Sequence, residues 1–465
     1  MSREAAIDLA TEHFDTGGFL AELEPRIAIQ TVSQEKDRGE ELRRYLTDSM
    51  VPLLDDLGFQ SRILDNPVEG YGPFLIAERQ EGDGLPTLLT YGHGDVVRGY
   101  DDQWREGLSP WRITVEGDRW YGRGTADNKG QHAINIAALS HVLKTRGELG
   151  FNAKIIIEMG EETGSPGLRR VCEQEKESLK ADILIASDGP RLAPGRPTIF
   201  LGSRGTMNFN LTVELRDGAH HSGNWGGLLA NPGTILANAI ATVADRRGRI
   251  LLDALRPTPI PNSVRQALST IVPGEGDNAP AIDQDWGEPG LTPAERVFGW
   301  NSFEVLAFTT GNPSAPANAI PPRAWAQCQM RFVVGSRWKE FLPEIQKHFD
   351  RNGFGMVKVA PARAEQMAAT RLDPDDPWVE WAAESIRRTT GGAPDILPNL
   401  GGSLPNEVFA DLLGLPTVWV PHSYASCSQH APDEHALAPI VRQGLQMMTG
   451  LFWDLGEGGS PAGPG

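Results

Sequence analysis

The sequence predicts an α/β protein, a mainly parallel sheet covered by helices, interrupted by a smaller inserted α+β domain. Three observations carry that prediction. Apolar runs without alternation, such as Pro86 to Tyr91 and Lys154 to Met159, suit strands buried on both faces. Stretches with helical spacing of apolar residues stand between such runs, which is the rhythm of an α/β layer fold. From about Leu201 the pattern changes to alternation, in NFNLTVELR and WAQCQMRFVV, as in antiparallel strands with one wet face. Residues 1–200 and 363–465 are therefore assigned to the main domain and residues 201–362 to the insert.

Taken in order, Phe19 to Ile29 and Leu42 to Leu57 have the apolar spacing of surface helices. Pro86 to Tyr91 and Lys154 to Met159 read as buried strands flanking a helix over Lys129 to Lys144. A helix is also expected within Gly167 to Leu179, followed by a strand at Ile183 to Ala186. Within the insert, Arg256 to Pro293 is crowded with Pro, Gly and Asp and lacks periodicity, so it is expected to be a long excursion over the surface. After about Arg363 the α/β pattern resumes with an amphipathic stretch, Trp378 to Arg388, and a last strand at Pro416 to Val420. The tail GEGGSPAGPG has the composition of a disordered segment.

Composition narrows the function. The 465 residues carry 61 acidic and 43 basic side chains, a net charge of −18, with 40% apolar residues. That is a globular chain with ample core, and its charge disfavours nucleic acid and anionic membranes as partners. Cys172, Cys328 and Cys427 are widely spaced and follow neither a disulfide nor a thiolate-metal pattern, as expected of reduced thiols. The first residues lack an apolar signal core, and no stretch approaches the roughly 18 apolar residues of a membrane span, so the expected location is the cytoplasm.

Ligands in open α/β sheets gather at the carboxyl ends of the strands. Four candidate strands deliver metal-type donors there: His93 and Asp95 after the first, Glu161 and Glu162 after the second, Asp188 after the third, and a loop ending in His430 after the last. Asp127 joins them from a Gly-rich loop just before the helix beginning near Lys129. Histidine nitrogens and carboxylates without thiolate suit Zn, Mn or a similar ion, and three carboxylates with two histidines are too many for one tetrahedral zinc. Two metals fit better. If Asp127 bridges them, His93 and Asp188 can hold one and Glu162 and His430 the other. Asp95, two residues from His93, is positioned to accept the imidazole's second N–H. Glu161 and Glu162 point to opposite sides of an extended chain, so one can bind metal while the other serves as general base.

His93-Gly-Asp95-Val-Val, Gly122-Arg-Gly-Thr-Ala-Asp127-Asn-Lys-Gly130, Glu161-Glu162-Thr-Gly-Ser165, Ser187-Asp188-Gly and His430-Ala-Pro-Asp-Glu434 together resemble, in order, the metal-site motifs of the M20 metallopeptidase family. That family includes carnosinase-like dipeptidases, aminoacylases, acetylornithine deacetylase and carboxypeptidase G2. The resemblance implies a di-zinc exopeptidase-like catalytic domain and a lid domain that forms a homodimer. It implies a bridging Asp127 followed by a cis peptide, a general base at Glu161, and metal ligation by His93, Glu162, Asp188 and His430. His430 is preferred over His435 because the family's ligand precedes a run like Ala-Pro-Asp-Glu; His435 and His422 are expected nearby in structural roles.

Three further segments resemble the carnosinase-type dipeptidases. His221-Ser-Gly-Asn-Trp-Gly-Gly resembles a segment whose histidine steadies the oxyanion in the partner subunit's site. Asn318-Ala-Ile-Pro-Pro-Arg with Met330-Arg331-Phe resembles the segment whose arginine clamps a substrate carboxylate, and Gly401-Gly402-Ser403-Leu-Pro resembles a loop lining the same pocket. The excursion from Arg256 to Pro293 has no counterpart in the resemblance, and Arg98 stands where many relatives have proline. The expected activity is hydrolysis of the amide bond in small peptides, assisted by two divalent ions, zinc foremost, with Mn or Co also suited to the sites. An N-acyl-amino-acid deacylase is the rival enzyme, and a non-catalytic metal-binding relative is the rival outside catalysis.

Overall fold

The computed structural model describes residues 2–274, 280–362 and 366–461. The apolar runs form an eight-stranded sheet in the spatial order Gln60–Leu64, Phe74–Arg79, Asn152–Glu158, Thr87–His93, Ile183–Ala186, Thr417–Trp419, Thr198–Phe200, Asp395–Leu397. The four central strands, from Asn152–Glu158 to Thr417–Trp419, run parallel. Their side chains are buried almost throughout, which explains why the sequence there does not alternate. The sheet is mainly parallel at its centre, with an antiparallel margin where Gln60–Leu64 and Phe74–Arg79 join it. A single antiparallel pair, Trp419 with Phe200, links it to the far edge.

Successive residues of the central strands feed opposite cores. Ile155 and Ile157 pack with helices Arg3–Asp15, Lys129–Arg146, Pro377–Thr390 and Ala438–Gly456, whereas Ile156 faces Leu168, Val171 and Phe409. The helix expected at Lys129 to Lys144 is present and buried on nearly every side. The one expected within Gly167 to Leu179 covers only Leu168–Gln174. The helix expected at Leu42 to Leu57 lies in a helical run from Gly39 to Asp56, capped by Leu57, that carries a π turn at Tyr45–Met50.

Two helices at the chain's ends depart from the sequence reading. Arg3–Asp15 buries its inner face through Ala6 and Ala10, residues too small to mark an apolar stripe. Ala438–Gly456 is buried around most of its circumference and so lacks the one-sided pattern of a surface helix. Of the tail expected to be disordered, residues 462–465 lie outside the described residues, and Gly456 ends this last helix.

The alternating segments form a second sheet, antiparallel throughout, in the order Ser302–Thr310, Arg323–Phe332, Gly205–Glu214, Val357–Pro361. Phe209, Leu211 and Val213 point to one face, where helices Pro232–Val243 and Phe341–Arg351 cover them with a separate core. Thr206, Asn208 and Asn210 alternate onto the other face. The expected return to the main domain at residue 363 falls outside the described residues.

Arg256 to Pro293 is not a simple surface excursion. It contains helix Asn262–Leu268, leads into helix Pro293–Phe298, and buries Ile260, Val264, Leu268 and Ile271 in the core shared with Leu397 and Leu400 of the main sheet's side. The spacing of those four residues is helical; Pro261 within it and the Pro- and Gly-rich sequence around it conceal it. Residues 275–279 lie outside the described residues.

Candidate metal centre

His93 is the last residue of its strand, Asp188 stands two residues beyond Ile183–Ala186, and Glu161 and Glu162 follow Asn152–Glu158 after a two-residue turn. Parallel neighbours bring these ends to one edge, with His93 paired to Glu158 in register. Asp127 reaches the same edge from the loop before helix Lys129–Arg146. A side chain at Gly130 would collide with the Thr125 carbonyl oxygen, so glycine is required for that loop to fold onto the helix start. The Asp127–Asn128 peptide bond is cis.

Two groups of donors converge there: His93, Asp127 and Asp188 in one, and Asp127, Glu162 and His430 in the other, with ligand atoms of each group within 4.8 Å of one another. Asp127 belongs to both. Its Oδ1 lies 3.1 Å from His93 Nε2 and its Oδ2 lies 2.9 Å from His430 Nε2. His430 Nε2 is also 3.0 Å from Glu162 Oε2, and His93 Nε2 is 3.7 Å from Asp188 Oδ2.

The charge balance at this edge favours cations. Burial and the neighbouring Asp127 carboxylate push Glu162 up to about 7 and Asp188 up to about 6. Burial, together with Glu162, Asp188 and Asp127, holds Glu161 well above the usual carboxylate range despite His93. Hydrogen bonds to Asp127 and Glu162 raise His430 to about 11. Burial would lift Asp127, but its bonds to His430 and His93 outweigh that and keep it ionised. Carboxylates crowded together therefore retain protons that a divalent ion would displace on binding. Asp188 Oδ2 is buried with no hydrogen-bond partner among the described residues, a free lone pair facing the cluster. Oxygen and imidazole donors of this kind fit zinc, manganese or cobalt.

The supporting shell differs in part from expectation. His93 Nδ1 lies 3.1 Å from the Asp95 carbonyl oxygen and 3.4 Å from Oδ1, so the backbone carbonyl is the nearer acceptor. The Asp95 carboxylate accepts instead from the backbone N–H groups of Glu161 and Glu162, each at 3.1 Å. It thus positions both glutamates through their main chain. Two residues to which the sequence reading assigns no role also act here. Glu434 accepts from the N–H groups of Gly124, Ala126 and Asp127 and pairs with Arg123, clamping the loop that presents Asp127. Gln429 donates to Asp127 Oδ2. His435 is occupied by Tyr424 and the Asp433 carbonyl, and buried His422 lies outside both donor groups.

A cavity of about 740 Å³ opens onto the cluster, lined by Asp127, Glu161, Glu162, Asp188 and His430 and, further along, by Arg331, Gly402 and Ser403. Arg331 Nη1 donates to Ser403 Oγ at 2.8 Å, and Ser403 Oγ donates to the Arg204 carbonyl, which fixes the guanidinium beside the Gly401–Ser403 loop. His221 and Asn318 are not among the cavity's lining residues. They sit together on the second sheet's side, where Ser222 donates to the Asn318 carbonyl and residues 221–228 are exposed.

The sequence profile described as Peptidase family M20/M25/M40 matches residues 89–454. A cysteinylglycine-S-conjugate dipeptidase of Corynebacterium striatum is 25% identical over 403 residues, covering 84% of each chain. The Beta-Ala-His dipeptidase of Mus musculus is 25% identical over 425 residues, covering 86% of this chain and 83% of its own. Among solved structures, the dipeptidase Dug1p of Saccharomyces cerevisiae shares the fold with a TM-score of 0.79 at 20% identity, covering 99% of this chain and 100% of that one.

Proposed function

Because the chain belongs to peptidase family M20/M25/M40, a family of hydrolytic enzymes, we propose that it is a dipeptidase that hydrolyses the amide bond of small peptides with two divalent cations, zinc foremost. The observation that carries this reading is the Asp127 carboxylate, with one oxygen turned to each of two donor groups at the mouth of the cavity. His93 and Asp188 complete one site, and Glu162 and His430 complete the other. When bound, the cations supply Lewis acidity toward the scissile carbonyl and acidify water. Glu161, outside both donor groups, accepts the proton of the attacking water and passes it to the leaving amine nitrogen.

Arg331 pairs with the substrate's carboxylate, for which a planar two-pronged donor is suited, while Gly402 and Ser403 line the same end and Asn318 belongs with the lid segment around His221. His221 steadies the oxyanion from the partner subunit of a homodimer. Its exposure in the single chain favours a role in trans, as do Trp225 and Leu228 beside it and Val305, Leu306 and Phe308 exposed on the edge strand Ser302–Thr310. In this reading residues 201–362 are the lid and dimerisation domain and residues 1–200 and 363–465 the catalytic domain. The three cysteines are buried and unpaired, which favours the cytoplasm. Among the described residues no helix is long and apolar enough to cross a membrane.

The test is a mass-spectrometric hydrolysis screen of dipeptides and N-acyl amino acids with protein reconstituted in zinc and, separately, in manganese. The expected result is cleavage of dipeptides bearing a free α-amine. Cleavage of N-acyl amino acids alone would move the enzyme to the deacylase reading and remove the dipeptidase assignment.

A further inference from the structure

Beside its polar metal-type cluster the cavity has an apolar wall, supplied partly by helix Pro293–Phe298, into which the Arg256 to Pro293 excursion leads. Helix Pro293–Phe298 is fixed by a capping box between Thr292 and Glu295 and by the pairing of Arg265 with Glu295. Ile260, Val264 and Leu268 anchor the preceding segment in the main core. From that mount, Val297 and Phe298 face the cavity together with Phe200, Leu397 and Leu400.

This wall adjoins the proposed carboxylate clamp. A Cβ built on Gly401 would stand 3.6 Å from Val297 Cγ1 and 3.7 Å from Phe298 Cε1, so the helix lies against the Gly401 backbone. Ser403, which holds Arg331, is two residues further on, a span of at most about 7 Å. A substrate residue whose carboxylate meets Arg331 therefore has its side chain within reach of the apolar wall. Arg331 would repel a cationic side chain there, and an anionic one would lose hydration against the hydrocarbon wall. Arg191, which also lines the cavity, is 1% exposed and its guanidinium is already committed to the Pro421 and Pro194 carbonyls and to Gln443.

We propose that the amino acid released by this enzyme, the one bearing the carboxylate, carries a large apolar side chain such as that of leucine, methionine or phenylalanine, received by Val297, Phe298 and Leu400. The inference rests on the amide-hydrolase reading above and narrows its substrate class; it holds for a dipeptide or an N-acyl amino acid alike.

The experiment compares kcat/KM for Ala-Gly, Ala-Ala, Ala-Leu, Ala-Phe, Ala-Lys and Ala-Glu, and for the matching N-acetyl amino acids. Ala-Leu and Ala-Phe, or their N-acetyl counterparts, are expected to exceed the glycine substrate by about tenfold or more. A Val297→Trp variant, at a half-buried position, is expected to cut the leucine-to-glycine ratio at least about tenfold by filling the wall. Equal rates for glycine and leucine substrates, or an unchanged ratio in the variant, overturn the proposal while leaving the hydrolase reading intact. If no substrate is cleaved, the hydrolase reading fails, and calorimetric binding of free leucine and glycine to the metal-loaded protein decides the pocket. At least about tenfold tighter leucine binding supports the apolar site, and equal binding removes it.

Discussion

A Glu161→Gln variant is expected to take up divalent cations as the parent does and to turn over about 10²- to 10⁴-fold more slowly. Glutamine preserves the side chain's volume and the backbone bond to Asp95, and Glu161 belongs to neither donor group, so cation binding has no reason to change. What is lost is a carboxylate able to take a proton. In the cation-free cluster, burial and the neighbouring carboxylates hold Glu161 protonated far above its usual range. Bound cations reverse the sign of the local field and lower that affinity into the range of a working base. Steady-state kinetics and metal analysis on the same preparation check both halves. Retained turnover would remove the base assignment, and loss of metal would move Glu161 into the ligand set.

His221→Ala is expected to slow turnover about 10²- to 10³-fold, the usual cost of one oxyanion donor. The single chain holds this histidine on an exposed segment, and it is not among the cavity's lining residues, so in the proposed dimer the loss is expected in the partner's site. If the proposed homodimer forms, complementation follows from its two-fold symmetry. In a mixed dimer of His221→Ala and Glu161→Gln subunits, one site receives a native histidine from the partner and keeps its own Glu161. Equal mixing should therefore recover about a quarter of the parental activity. Two inactive variants that stay inactive after verified subunit exchange would exclude action in trans.

The parts of the fold that were legible in the sequence are those where burial imposes a period. Ile155, Ile156 and Ile157 sit in a strand covered on both sides, and their uninterrupted run announces it. The donor residues were legible because strand ends at one edge of a parallel sheet must meet, so His93, Glu162 and Asp188 needed only the strands to be located. The helix Arg3–Asp15 was hidden because alanine buries it, and Ala438–Gly456 because nearly all of its faces are covered. Glu434 clamps the Asp127 loop across 307 residues of chain, a contact that no local pattern encodes. Asp95 could be placed beside His93, but its use as an acceptor for two glutamate amides depends on how the turn at Gly160 folds back. The excursion had a readable anchor in Ile260, Val264 and Leu268, obscured by the prolines and glycines around it.

The proposed hydrolytic site would be completed by two cations that share Asp127. Its most direct measurement is a titration of zinc or manganese into chelator-stripped protein, following dipeptide hydrolysis and bound metal together. The stripped protein is expected to show no turnover, and activity is expected to plateau at about two ions per chain. Full activity at one ion per chain, or activity that survives complete removal of metal, would contradict it.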